Sequence, residues 1–435
     1  RSAPALTGVL VVWLPYLLRG PRHLGRWGAL SASFLFLISP TIMYQSRYIR
    51  HDIYTVAGAL LIMISIFRYL ERPQRRWLII GAAATAASLA NHEIIFAILG
   101  IFAAFLYVWL LGGRLLAWSA TKRNVALQVL LLHVGARIAF LALYVAVPAS
   151  TKNELMNDIP WNNPTPAQQN AYYRLLLTNP FIIGLVVIFV AFVVGLVVLL
   201  NRARDEDLRT EGWLPSLFAG APEGGVEAGI ESAWRDRNGL AIAIATGVFI
   251  FAGLFTSLFV NLNGLRTSTI ATNGTILYWL GQHDVRRGEQ PWFYFIALAP
   301  QYEFIPVLLG GAMALLTIFR GLRAAAGFGS SGANIAFRSF IVVWFIGIFA
   351  VLSWAGEKMP WLVVHIVTPA VLLAGLVVGG LIERAEASSL LATARVRRTS
   401  KIIAVPEWWL FGGLLLAAGA WFFLPGRLSY GTFST

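Results

Sequence analysis

From Phe181 to Leu200 the chain runs for twenty residues without a charged, amide or hydroxyl side chain. A helix of about 20 apolar residues is what crosses the roughly 30 Å hydrocarbon core of a bilayer. Comparable runs recur at about 5–18, 27–43, 53–68, 77–90, 94–111, 125–147, 180–200, 239–260, 301–319, 337–354, 361–382 and 408–424. All are read as helices, because an open strand would leave backbone groups unsatisfied in lipid. The sequence is 58% hydrophobic and 12% charged, against about 25% charged in a soluble domain. The expectation is an all-α integral membrane protein of about twelve transmembrane helices, a single polytopic domain over residues 1–435.

The formal charge is +14, which first suggests nucleic acid. Its distribution argues otherwise. Arg19, Arg22 and Arg26, or Arg68, Arg72, Arg75 and Arg76, sit in short runs between apolar stretches, as topogenic loops that meet anionic headgroups do. Membrane lipids are thus expected partners, and nucleic acid is not. Alternate loops (19–26, 69–76, 112–124, 201–238, 320–336 and 383–407, with Arg68 and Arg338) hold 23 of the 34 Lys and Arg residues, and the opposite set holds ten. Arg137 lies inside a span. The basic set is read as cytoplasmic. The chain has no cysteine, which excludes disulfides, thiolate nucleophiles and Cys-ligated metals. It starts at Arg1 and reaches an apolar run within a few residues, so upstream residues are expected to precede it.

The cytoplasmic loop 201–238 mixes charge with Gly and Pro and reads as a mobile tether. The extracytoplasmic loops 148–179 and 261–300 are long and rich in Trp, Tyr, Asn and Pro, a composition suited to sugar stacking and amide hydrogen bonding, or to a cap over helix ends. Interfacial helices are expected there. Asn273-Gly274-Thr275 fits a glycosylation acceptor pattern.

On the outer face the topology gathers four constellations. Ser46-Arg47-Tyr48-Ile49-Arg50-His51-Asp52 sets two guanidiniums one helical turn apart, suited to forking onto phosphate oxygens. Asp52 could act as a base, help hold a divalent cation, or simply cap the third span. Asn91-His92-Glu93 occupies a tight turn that needs no His-Glu pair for its geometry. In Gly356-Glu357-Lys358-Met359-Pro360-Trp361, Lys358 could hold a phosphate and Glu357 a sugar hydroxyl, or the two could pair. His365, one turn on, reads as a packing histidine. The fourth constellation runs from Tyr278-Trp279-Leu280 through Gln282, His283, Asp284, Arg286, Arg287 and Gln290-Pro291-Trp292-Phe293-Tyr294 to Tyr302-Glu303, an amphipathic interfacial pattern with a headgroup site.

Ser39-Pro40, Ser46-Arg47, Arg50 and Asp52 resemble the signature of GT-C membrane glycosyltransferases related to protein mannosyltransferases and aminoarabinose transferases. Tyr278-Trp279-Leu280, Arg287-Gly288, Gln290-Pro291-Trp292, Tyr302-Glu303 and Gly356-Glu357-Lys358-Met359-Pro360-Trp361 with His365 look like the prokaryotic flippase activity-associated branch. The resemblance implies a GT-C-like fold in the cytoplasmic membrane of a prokaryote, its site opening outward. The implied donor is a polyprenyl-phosphate-linked sugar. It implies catalytic roles for Asp52 and Glu93, and substrate binding by Arg47, Arg50, His51, His92, Tyr302, Glu303, Glu357 and Lys358. Asp52 matches the second acidic position of the family, the first falling upstream of Arg1. His92 stands where relatives often carry Lys.

Two functions of different classes follow. One is a glycosyltransferase acting on an extracytoplasmic acceptor. The other is a non-catalytic partner in lipid-linked glycan flipping or export, bound to partner membrane subunits. A secondary transporter fits less well, because such sites place broken helices or ionisable groups near the midplane.

Overall fold

The computed structural model describes residues 2–160, 165–269, 289–325 and 334–387, with 413 and 416. The described residues are helical and contain no strand. Among the described residues, eight helices are long and apolar enough to cross a membrane, nine if one bent pair counts as a span. Among the expected runs, 5–18 forms a shorter apolar helix and 77–90 a helix of 15 residues, about 22 Å long at 1.5 Å per residue. Most of the run 408–424, all of Asn273-Gly274-Thr275 and the stretch from Tyr278 to Arg287 lie outside the described residues.

The helices used below, numbered among the described residues, are α1 (Ser2–Trp13), α2 (Gly25–Ile38), α3 (Pro40–Arg47), α4 (Asp52–Glu71), α5 (Arg75–Leu89), α6 (Ile94–Thr121), α7 (Arg123–Ala146), α8 (Ala149–Asn157), α9 (Pro166–Thr178) and α10 (Pro180–Ala203). Then come α11 (Trp213–Leu217), α12 (Val226–Arg235), α13 (Arg237–Phe255), α14 (Asn263–Thr269), α15 (Tyr294–Tyr302), α16 (Phe304–Ala325), α17 (Ile335–Trp354) and α18 (Val363–Ala387). They fall into two compact units.

The first unit comprises residues 1–68, 80–103 and 286–435. Its central helix is α18, most of whose hydrophobic residues from Val363 to Leu376 are buried. Small residues let α2 lie against it. A Cβ at Gly375 would meet the Gly28 carbonyl and the Ala32 Cβ at 2.8 Å, and one at Gly379 would collide with the Gly28 backbone. In lipid, which offers no hydrophobic drive between helices, such close backbone approach is a main source of packing energy. Phe67, Phe102, Phe337, Phe340 and Trp344 interlock edge-to-face or tilted beside it, with ring centroids 4.6–5.0 Å apart.

Between α2 and α3 the axis bends by 59°. Pro40 takes the first position of α3, and the Ser39 hydroxyl accepts from the Ile42 N–H at 3.2 Å. Proline is pre-organised for that position, and it drives the residue before it out of the helical region. The bend therefore resides in the Ser39-Pro40 dipeptide itself.

The second unit comprises residues 69–79 and 104–285. Its α7 and α10 pack along their length, and Cβ atoms at Gly184 and Gly195 would run into Leu143 and Leu132. No part of the most apolar window of α10 is buried within the protein; Val187 is 60% exposed and Phe189 67%. A surface this apolar needs hydrocarbon as its solvent, and the chain is an all-α membrane protein. Arg137 donates to the His133 carbonyl at 3.2 Å, and His133 Nε2 lies 2.5 Å from the Tyr107 hydroxyl.

The segment 201–238, expected to be a mobile tether, is folded. It carries α11 and α12, and Glu227 on α12 pairs with Arg114 of α6 at 3.1 Å. Asp236 caps α13 through the Gly239 N–H and takes two bonds from Arg75, at 2.7 and 2.8 Å. Composition misled here because Gly and Pro also serve as helix punctuation, and α12 buries Val226, Glu227 and Gly229 despite its charge content.

Candidate functional site

Within the first unit, three separate pieces of chain converge on Asp52. It is the first residue of α4, where the positive end of the helix dipole favours a carboxylate, and it is fully buried. His365 stands within the first turn of α18, which the Pro360–Leu362 turn starts with proline at its N-terminal end. His92 comes from the turn between α5 and α6. His365 Nε2 lies 3.3 Å from Asp52 Oδ1, and His92 Nε2 lies 3.8 Å from the same oxygen. The other oxygen, Oδ2, faces Arg50 Nε at 3.2 Å.

An outer layer holds these groups. The Arg50 guanidinium stacks on the Trp361 ring at 4.1 Å, and the Trp361 carbonyl accepts from Gln45 at 3.4 Å. His51 packs edge-on against His92, centroids 4.2 Å apart. Asn91 donates to the His51 carbonyl at 2.9 Å and to the Thr55 hydroxyl at 2.8 Å, tying the α5–α6 turn to the start of α4. Glu93 Oε2 lies 3.4 Å from His92 Nδ1, and the Ile94 N–H approaches that nitrogen at 3.2 Å. Burial, then repulsion from His365 and His51, pushes the His92 imidazole down to about 3, so this ring is neutral near pH 7.

Of the residues singled out from sequence, Arg50, His51, Asp52, His92 and Glu93 meet here, and Trp361 joins them. Arg47 lies exposed at the end of α3, and Glu357 is half-buried. Lys358 is buried, and its ammonium donates to the Ala355 carbonyl at 2.6 Å. Tyr302 is 51% exposed. Glu303 is buried against the start of α3, where Oε1 accepts from the Ser39 hydroxyl at 2.5 Å, the Thr41 N–H at 2.9 Å and the Thr41 hydroxyl at 2.6 Å. Burial pushes its carboxyl above the usual range, although these bonds act against that.

His365 is the residue that sequence reasoning passed over as packing. Its signal was its place one turn after a motif rich in ionisable groups, which tertiary structure turns into a contact with Asp52. The cluster sets the buried Asp52 carboxylate among imidazoles and a guanidinium, an arrangement that can accept a proton, orient a hydroxyl or hold a cation. No family model matches the chain, and no curated protein or solved structure matches it.

Proposed function

We propose that the chain is a GT-C-like glycosyltransferase that moves a sugar from a polyprenyl-phosphate donor to an acceptor on the extracytoplasmic side of a prokaryotic membrane. The observation that carries this reading is the contact between the two motifs behind the resemblance. Asp52 and Arg50 from one touch His365 and Trp361 from the other. Two further pieces of the same motifs, Ser39 and Glu303, also meet. Residues this far apart in the chain gain a shared environment from folding alone.

In this reading the Asp52 carboxylate takes the proton of an acceptor hydroxyl as it attacks the sugar. Arg47 and Arg50 stabilise the phosphate that departs with the lipid, aided by Lys358. His51, His92, Tyr302 and Glu357 line the approach of the sugar, and Glu93 and Glu303 provide further carboxyl contacts. The remaining expected spans complete the twelve-helix architecture.

The test is transfer by purified protein from a polyprenyl-phosphate sugar to a hydroxyl acceptor, with Asp52→Asn as the probe. Loss of turnover in a folded variant supports the reading, and unchanged transfer rejects it. One observation favours the alternative, a non-catalytic subunit in lipid-linked glycan export. Asp52 is fully buried, with nitrogen groups against both of its oxygens, which also suits a structural tie between helices. Folded wild-type protein that transfers nothing but co-purifies with partner membrane subunits would favour that reading.

A further inference from the structure

The ligand-capable atoms of Asp52, His92 and His365 all lie within 4.8 Å of one another. We propose that these three side chains bind a divalent transition-metal cation of the Zn²⁺ class, a site set by the meeting of α4, α18 and the α5–α6 turn. The inference concerns the same cluster as the transferase reading but does not depend on it, because binding is measured without donor or acceptor.

Distances come first. With metal–ligand bonds of about 2.0–2.2 Å, two ligands of a tetrahedral ion stand roughly 3.3–3.5 Å apart. His365 Nε2 and Asp52 Oδ1 are already at 3.3 Å, and His92 Nε2 is at 3.8 Å. All three ligand atoms lie within 4.8 Å of one another, so side-chain rotations that draw the two imidazoles together close the set. Two imidazoles and one carboxylate suit Zn²⁺, Mn²⁺ or Fe²⁺ over Mg²⁺ and Ca²⁺, which favour all-oxygen shells. Three protein ligands leave at least one position for an exogenous oxygen.

The surrounding groups are those that orient ligands. Arg50 takes Oδ2 of Asp52 at 3.2 Å and leaves Oδ1 turned to the imidazoles. His92 Nδ1 faces both the Glu93 carboxylate and the Ile94 N–H, and a neutral ring satisfies one of them. When Nε2 binds a cation, Nδ1 carries the proton and donates to Glu93, the carboxylate–histidine–metal relay common at such centres. Without a cation, Nδ1 accepts from Ile94 and the Nε2–H points at Asp52. The two states thus use different partners of His92 Nδ1, and the cation selects one tautomer.

The experiment uses the full chain in detergent, stripped with chelator and then titrated with Zn²⁺, with Co²⁺ as a spectroscopic probe. One equivalent is expected to bind, with Asp52→Asn, His92→Gln and His365→Gln each weakening binding by more than the roughly 10–100-fold that loss of a group merely orienting a ligand costs. Failure of wild-type protein to bind, or variants that bind as wild type does, overturns the proposal. Should a variant misfold, the wild-type Co²⁺ spectrum decides alone. The visible bands of a nitrogen- and oxygen-ligated, low-symmetry site support the proposal, and the spectrum of hydrated Co²⁺ overturns it. Protein that binds the cation but transfers no sugar sinks the transferase reading and leaves this one standing.

Discussion

Asp52 and Glu227 are both buried carboxylates with an arginine at 3.2 and 3.1 Å, yet their surroundings differ in kind. Glu227 meets a single cation. Arg114 spends the rest of its guanidinium on the Leu217 carbonyl and the Phe218 ring, and the pair closes on itself. Asp52 has Arg50 on one oxygen and two imidazoles on the other. Opposite charges in equal number with capped donors make a structural tie. A carboxylate that also meets two imidazoles, groups that can lose or share a proton, makes a centre able to bind or react. Burial by itself does not separate the two cases; the stoichiometry of acid and base around each carboxylate does.

Substitutions test this contrast, in descending order of expected effect. Asp52→Asn keeps the shape and removes the charge. Transfer activity is expected to fall by about 10²–10⁴-fold, the usual contribution of a general base, with thermal stability little changed. Glu227→Ala should do the reverse and cost about 3–5 kcal/mol, because it strands a buried guanidinium, while transfer per folded molecule stays constant. Chemical denaturation and activity assays on the same preparations read both. The double replacement Arg114→Leu with Glu227→Leu should recover most of that loss. If it does not, the pair is more than a tie.

Glu303 adds a pH-dependent version of the comparison. Its carboxyl is raised by burial, so the folded state holds that proton more tightly than the unfolded chain does. The stability it contributes is complete below the ordinary glutamate range and is lost as pH rises through the raised value. Glu303→Gln, neutral at all pH and still able to accept from Ser39 and Thr41, should therefore melt at or above the wild-type temperature at pH 7. That advantage should shrink as pH falls towards 4. A large loss at pH 7 would mean that the ionised carboxylate is what the α3 N-terminus requires. The smallest effect belongs to Asp236→Asn, since the Arg75 pair is exposed and solvent-screened. Its melting temperature should shift slightly, and the shift should diminish in high salt.

The membrane-spanning helices were legible because their information is local. Twenty apolar residues in a row state their solvent without reference to the rest of the chain, and the most apolar window of α10 is not buried inside the protein at all. The bend at Ser39-Pro40 interrupts the expected single span 27–43, although its cause is local too, since proline and a capping hydroxyl act on their own neighbours. Two readings stopped short where local cues are ambiguous. Gly and Pro in 201–238 suggested a tether, but the segment is ordered by partners in α6 and α5, Arg114 and Arg75. His365 suggested packing because a histidine in an apolar helix has no neighbour in sequence to mark its role.

Composition and motif spacing thus determined an all-helical chain in a bilayer, the positions of its ionisable groups at helix ends, and the residue types at hand. Tertiary structure alone decided that His365 and Asp52, 313 positions apart, are 3.3 Å from each other, and that Glu303 sits on the first turn of α3. Long-range contacts of this kind depend on which faces of α18, α4 and α2 can approach. Glycines at 28, 375 and 379 set that approach through backbone sterics, and no periodicity in the sequence records which helix will fill the space they leave.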